Sequence, residues 1–432
     1  MKKEIHILGS GPMGLGVAFY AIKKGYKPII YEADDRIGGM TASFDFNGLN
    51  IERFYHFHCK TDHGFFNILD ELNLSKKFHW KHTRMGFWYK NKIHCWAGPF
   101  DLLKFPYLSI MEKLRYAISA FISTKRTNWE PLDKISAEAW LRKSIGNHSF
   151  DILWKKLFNL KFYEYSDKVS AAWIWSRIKR TGLSRKNIFT EQLGYLENGS
   201  QTLLNAMQDF ILNNGGEIHL STPVEKVNIK NNKVMSFSIK AKKIQAENII
   251  STIPIPYIPK IIPQLPKKIL ASYEKIKNIG VVCVIVKLKK KITDHFWLNI
   301  NDDDMDIPGI IEYSNLRTIA KNSIAYIPFY MPQNNPKFKD SDNIFKLKVK
   351  RYIKKINPQI NESDFIDIKI NRYFYSQPVC EINHSKILPE VKLPVQGLYV
   401  ADTSYYYPED RGISESLGFA KKIVEEYFDN YD

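Results

Sequence analysis

A glycine turn set between a strand and a helix constrains this chain more than any other feature. Residues 3–8 read as a strand, Gly9-Ser10-Gly11-Pro12-Met13-Gly14 as the turn, and residues 12–24 as a helix with Pro12 in its first turn and Gly25 as its stop. Residues 27–33 form a second strand, and Glu32 stands in it eighteen residues beyond Gly14. Each part has a physical purpose. Gly9 permits the tight turn, Gly11 lets the backbone approach a pyrophosphate, and Gly14 lets helix and strand pack closely. The helix N-terminus presents partial positive charge to the phosphates. The Glu32 carboxylate suits ribose hydroxyls and disfavours a 2′-phosphate. The spacing predicts a Rossmann-like dinucleotide-binding unit.

The second strand runs directly into Arg36-Ile37-Gly38-Gly39-Met40-Thr41-Ala42-Ser43. Paired glycines free backbone N–H groups to approach an anion, and Arg36 adds a charge-assisted donor. With the glycine turn and Glu32, this run resembles the amine oxidase and protoporphyrinogen oxidase superfamily of flavoproteins, UDP-galactopyranose mutase being a more distant relative. The resemblance implies FAD as the cofactor, with Gly9, Gly11, Pro12, Met13, Gly14, Glu32, Ala33, Arg36, Gly38, Gly39, Met40 and Thr41 along its diphosphate and towards its ring. It resumes at Thr222-Pro223-Val224-Glu225-Lys226-Val227, where the family places a strand against the adenine, a role carried here to Val224. It returns at Gly397-Leu398-Tyr399-Val400-Ala401-Asp402 and at Asp410-Arg411-Gly412-Ile413-Ser414-Glu415-Ser416. There it implies Asp402 as an acceptor for the ribityl chain. Gly412 and Ile413 become a helix N-terminus facing the flavin, where backbone donors stabilise negative charge on the ring.

The expected fold class is α/β: a Rossmann-like FAD-binding domain with an inserted substrate-binding sheet and a helical region. The rhythm of strands, helices and motifs divides the chain into an FAD-binding part at 1–75, a substrate-domain segment and helical insertion at 76–193, a second FAD-binding part at 194–276, a substrate-binding domain at 277–390 and a C-terminal FAD-binding part at 391–432. Residues 222–229 and 233–239 read as strands flanking a hairpin turn at Asn231-Asn232.

Composition bounds the partners. Lys and Arg exceed Asp and Glu by 63 − 45 = 18, so the surface attracts anions. The basic residues are dispersed and no nucleic-acid motif accompanies them, which favours a small-molecule substrate of anionic character over nucleic acid. Cys59, Cys95, Cys283 and Cys380 are widely spaced without a CxxC pair, which argues against a zinc site or disulfide framework and fits a reducing, cytoplasmic setting. Residues 101–123 mix Leu, Phe, Tyr and Ile with Lys and Arg at roughly helical spacing. That is the pattern of a helix packed on its own core, with peripheral contact at the inner face of a membrane as the alternative.

The substrate side is less legible, because oxidation by flavin needs chiefly an oriented C–H bond. Tyr55-His56-Phe57-His58 and Tyr405-Tyr406-Tyr407 both adjoin ring-facing segments, and His56, Tyr406 and Arg411 are the candidates to act on substrate. Tyr313, Phe329, Tyr330, Tyr373 and Tyr375 are candidates to line a pocket or to serve as strand residues. No lysine can be assigned by position beside the flavin. No metal-ligand constellation and no hydrolase motif is present. The leading expectation is an FAD-dependent oxidoreductase that oxidises or desaturates an organic substrate by hydride transfer to flavin N5. The alternatives are a redox-neutral flavoenzyme acting on a nucleotide-sugar and a non-enzymatic FAD-binding protein.

Overall fold

The computed structural model describes residues 3–187, 190–319 and 321–429. Its organising element is a five-stranded parallel sheet in the order Glu217–His219, Lys27–Tyr31, Glu4–Leu8, Ile249–Ser251, Leu398–Val400. Nearly continuous apolar runs such as Ile29 and Ile30 or Ile249 and Ile250 suit strands covered on both faces. The strands come from three separated stretches of chain, so residues distant in sequence meet at the carboxyl ends of one sheet.

The helices around the sheets include α1 (Pro12–Lys23), α2 (His63–Glu71), α3 (Pro99–Lys104), α4 (Ile110–Lys125), α5 (Lys155–Phe162), α6 (Ala171–Leu183), α7 (Ser200–Asn213) and α8 (Ile413–Tyr427). Helices α1, α7 and α8 share one core with the parallel sheet. The approach of α1 to α8 depends on a small residue, since a Cβ on Gly16 would lie 2.8 Å from that of Ala420. On the other side of α1, Phe19 and Phe210 of α7 bring their ring centroids to 4.4 Å.

A second, seven-stranded sheet is inserted in the order Phe365–Pro378, Asn278–Leu288, Ser323–Met331, Gly309–Glu312, Trp297–Ile300, Met85–Tyr89, Lys92–Cys95. Alternate side chains of a strand point to opposite faces. Val282, Val284 and Phe329 pack with Phe345 and Val349 of the helix Asp342–Ile356. Val281, Cys283, Tyr326 and Tyr330 turn the other way, towards Phe158, Phe162 and Trp173 of the helical region. Tyr330 therefore faces the interior between sheet and helices, while its neighbour Phe329 does not.

Two expectations need correction. Residues 222–225 are not in a strand, which begins at Lys226. Their backbone is engaged elsewhere, with Thr222 N–H donating to the Glu32 carbonyl at 2.7 Å and Glu225 N–H to Ser238 at 2.9 Å. The segment 101–123 is broken near Pro106 into α3 and α4, and most of its apolar side chains face outward instead of packing on a core. The four cysteines are free. No described helix is long and apolar enough to cross a membrane.

Candidate active site

The glycine turn closes on itself at Gly9 and Gly14 by contacts that leave no room for larger residues. Gly9 takes a φ of +98°, and a Cβ on Gly14 would overlap the Gly9 carbonyl oxygen. Gly11 is the N-cap of α1, followed by Pro12 at its first position and the buried Met13. Nothing lies within 4 Å of where a Gly11 Cβ would stand. The first N–H groups of α1 lack intrahelical acceptors and point out of the helix. The paired-glycine run lies beside this turn: Gly38 N–H donates to Ser10 at 2.9 Å, and a Cβ on Gly39 would be 3.6 Å from the Gly11 Cα. Gly38 and Gly39 have φ of +104° and +54°, and Thr41 Oγ1 secures the turn by donating to the Gly38 carbonyl at 2.6 Å. Met40 is half-buried. Arg36 pairs with Asp35 and donates to the Ser43 carbonyl at 3.1 Å, so it braces the loop.

At the other end of the turn, Glu32 Oε2 accepts from Ser10 N–H at 2.7 Å and Ser10 Oγ at 2.8 Å, and its Oε1 accepts from Asp34 N–H at 2.9 Å. The bond from Thr222 draws the half-buried Val224 segment alongside Glu32 and the exposed Ala33. These residues are thus gathered at one sheet edge.

Helix α8 starts at Gly412, its N-cap, with Ile413 buried behind it. Helix α2 crosses α8 so closely that a Cβ on Gly64 would collide with the Ser414 carbonyl. Asp402 is buried, with Oδ2 accepting from Ile255 N–H and Oδ1 from Ser404 N–H, both at 2.8 Å. Those bonds tie the last strand of the parallel sheet to the loops around it. Glu415 folds against Gly412, and burial pushes its carboxyl up to about 7.

The donor and acceptor pattern fits FAD. Gly11 and Gly39 form a narrow, side-chain-free cradle beside a helix N-terminus, as a diphosphate requires. Three buried polar atoms, Ser43 Oγ, His56 Nδ1 and Glu415 Oε2, have no hydrogen-bond partner within the chain, and all belong to the segments that lead from this cradle towards α8. Buried polar atoms ordinarily find partners, so orphaned atoms on these segments suit a polar ligand.

The three side chains expected to act on substrate differ in situation. His56 is held neutral, because burial and then the nearby His58 and Arg411 push its pKa down to about 3. The Tyr406 hydroxyl donates to Ser416 Oγ at 2.9 Å within the parallel-sheet core. Arg411 donates to Gln377 Oε1 immediately before the start of α8. His58 stacks on Phe65 with 3.6 Å between centroids and lies 3.3 Å from Asp62, a packing arrangement. Tyr313 donates to the His56 carbonyl at 3.0 Å, and Tyr375 packs edge-on to Tyr257.

Around Arg411 lies a cluster that sequence reasoning missed. Asp410 pairs with Arg177 of α6 and accepts from Gln377 Nε2 at 3.1 Å, so Arg177, Asp410, Gln377 and Arg411 form one chain of polar contacts. Burial would raise the Asp410 carboxyl, but Arg177, Lys161 and Arg411 outweigh it and hold it at about 2. Lys161 of α5 is buried beside them, with Nζ over the rings of Trp173 at 4.8 Å, Tyr330 at 5.3 Å and Phe162 at 5.5 Å. Burial, then Arg177, pushes its pKa well below the ordinary lysine value against the pull of Asp410. Tyr55 and Tyr330 bring their hydroxyls to 3.4 Å at the same place. Among the described residues no group of His, Cys, Asp and Glu is arranged to hold a metal ion.

The model of the flavin containing amine oxidoreductase family matches residues 14–407. A 15-cis-phytoene desaturase of Glycine max is 22% identical over 442 residues, covering 92% of this chain and 74% of that protein. The chain spans 51% of the length of one phytoene desaturase that it matches and 80% of another. Among solved structures, a protein of Exiguobacterium sp. 255-15 described as a protoporphyrinogen oxidase superposes with a TM-score of 0.77 at 18% identity, covering 98% of both chains. Reduced UDP-galactopyranose mutase superposes with a TM-score of 0.75 at 16% identity, covering 98% of this chain and 95% of the other. At such identities these structures share the fold.

Proposed function

We propose that this chain, which belongs to the flavin containing amine oxidoreductase family, oxidises or desaturates an organic substrate held between Tyr55, Lys161 and Tyr330, in front of the N-terminus of α8. It is an FAD-dependent oxidoreductase by family. FAD, when bound, supplies a two-electron acceptor. What the chain adds is a place for the substrate and an acceptor for the proton that the substrate loses together with a hydride.

The observation that carries the proposal is the burial of Lys161 among aromatic rings beside Asp410. A buried ammonium costs free energy unless paired, and Lys161 has three aromatic rings about it and no ion pair among the described residues. Burial therefore disfavours its charged form, and a lowered pKa suits Nζ to accept a proton. Arg177, Asp410, Gln377 and Arg411 hold one another in place beside it, and the Tyr55 and Tyr330 hydroxyls meet at 3.4 Å close by. The curated relatives are named as desaturases, which favours loss of hydrogen from carbon over amine oxidation.

The excess of cations over the single carboxylate in this cluster favours a second reading, a redox-neutral reaction on a nucleotide-sugar diphosphate. Anaerobic mixing of the yellow protein with saturated or partly saturated lipids, amines and nucleotide-sugars separates the two. Bleaching of the flavin absorbance by an oxidisable compound is the expected result. Turnover of a nucleotide-sugar solely after chemical reduction of the flavin, with no compound bleaching it, overturns the oxidative reading.

A further inference from the structure

Helix α4 turns its apolar side to solvent. Ile110, Met111, Leu114, Ile118, Phe121 and Ile122 recur at the spacing of one helical face, and Ile110, Met111 and Phe121 are 71%, 74% and 64% exposed. Phe100 and Leu103 of α3 are exposed as well and enlarge the same apolar region. The opposite face of α4 holds the buried Lys113, whose Nζ donates to the Leu103 carbonyl at 2.7 Å, and the buried Ser123, whose carbonyl accepts from Trp175 of α6 at 2.9 Å. The helix is thus firmly attached, and its exposed stripe is a fixed feature of the surface.

We propose that this face of α3 and α4 docks on an anionic lipid bilayer, with α4 lying in the plane of the interface. At 1.5 Å per residue its sixteen residues reach along about 24 Å of membrane surface. Two observations choose this occupant over a second copy of the chain. Glu112 points away from the stripe, its carboxylate taken by Ser109 and His148, and the Asp101 carboxylate caps α3 by accepting from Ala97 and Gly98. The charges left at the ends of the stripe are Lys104, Lys125 and Arg126. Face-to-face pairing of two copies sets those cations against each other in a chain whose net charge is already +18. An anionic leaflet complements them, and long basic side chains at the rim of an apolar face reach headgroups while their stems stay in the acyl boundary. Helix α6, which holds α4 through Trp175, also carries Arg177, so one helix separates the docking face from the cluster at Asp410.

Flotation of the FAD-loaded full chain with vesicles tests this. Vesicles of equal phosphatidylglycerol and phosphatidylcholine should carry the protein with them, and pure phosphatidylcholine should carry far less. The double variant Ile118→Asp/Phe121→Asp should reduce binding at least about tenfold, since each buried large apolar side chain is worth roughly that factor. Its flavin absorbance and melting temperature should match the parent. Lys104→Glu and Lys125→Glu should each weaken binding about fivefold. Absence of flotation, equal flotation with both vesicle types, or unchanged binding by the double variant overturns the proposal. So does a parent that sediments as a dimer, becomes monomeric in the double variant and binds no vesicle.

Discussion

Arg180 grips Asp62 with two bonds, Nε to Oδ1 at 3.0 Å and Nη2 to Oδ2 at 2.9 Å, and so fastens α6 to the turn that starts α2. Asp62 is 1% exposed and also accepts from Cys59 N–H at 3.1 Å. Arg180→Met leaves that carboxylate buried with only the Cys59 N–H and His58 beside it, and breaking a buried pair on one side costs about 3–5 kcal/mol. Urea denaturation followed by tryptophan fluorescence should show that loss, and a change under about 1 kcal/mol would mean the pair does not join the two helices. The acid limb follows the same pair. Burial would raise the Asp62 carboxyl, yet Arg180 and His58 outweigh it and hold it at about 2. A depressed carboxyl lends stability above its ordinary value of 3.8 and loses it as pH falls through 2.

Glu312 acts in the opposite direction. It accepts from Ile292 N–H, Thr293 N–H and Ser323 Oγ, but burial dominates these donors and pushes its carboxyl up to about 7 from 4.5. The folded state then holds a proton that the unfolded chain gives up, so this stability is present below pH 4.5 and is lost as pH rises through 7. Melting temperature should fall by about 2 °C or more between pH 5 and pH 8, and Glu312→Gln should flatten that slope. An unchanged slope in the variant assigns the pH dependence to other groups.

Gly11 and Gly14 should fail differently on substitution. A Cβ at Gly14 overlaps the Gly9 carbonyl, so Gly14→Ala should lower the melting temperature of the FAD-free protein itself. A Cβ at Gly11 meets nothing within 4 Å, so Gly11→Val should leave the FAD-free fold intact while FAD retention, read as the absorbance ratio of flavin to protein, drops severely. A yellow, fully loaded Gly11→Val protein would refute the placement of the diphosphate beside the turn.

Lys161→Met keeps the length of the side chain and removes the amine. If Nζ accepts the substrate's proton, kcat should fall by about 10²–10⁴-fold with FAD retention unchanged. Activity of the parent should rise with pH as the depressed lysine gives up its proton, and the variant should lose that rise. A parallel-shifted but otherwise identical pH profile in Lys161→Met would remove Lys161 from the proton path.

Much of the cofactor side was legible because its chemistry is local. A turn that must take positive φ at Gly9 and Gly38, admit backbone to an anion at Gly11 and end a strand in Glu32 has few residue choices, and those choices sit consecutively in the chain. The start of α8 was expected where it lies, at Gly412 and Ile413. Lys161, Arg177 and Gln377 carried no such mark. In Lys155–Phe162 a lysine reads as an ordinary surface residue until Trp173 and Tyr330, contributed by another helix and a distant strand, enclose it. The apolar period of α4 was likewise visible in sequence, but which way that stripe points was not. Periodicity and turn chemistry are properties of neighbouring residues, so the chain alone determined the dinucleotide turn, the parallel α/β unit and the amphipathic helices. Burial and charge proximity depend on which distant segments pack together, so tertiary structure alone decided which lysine was enclosed among aromatic rings and which helix was left facing outward.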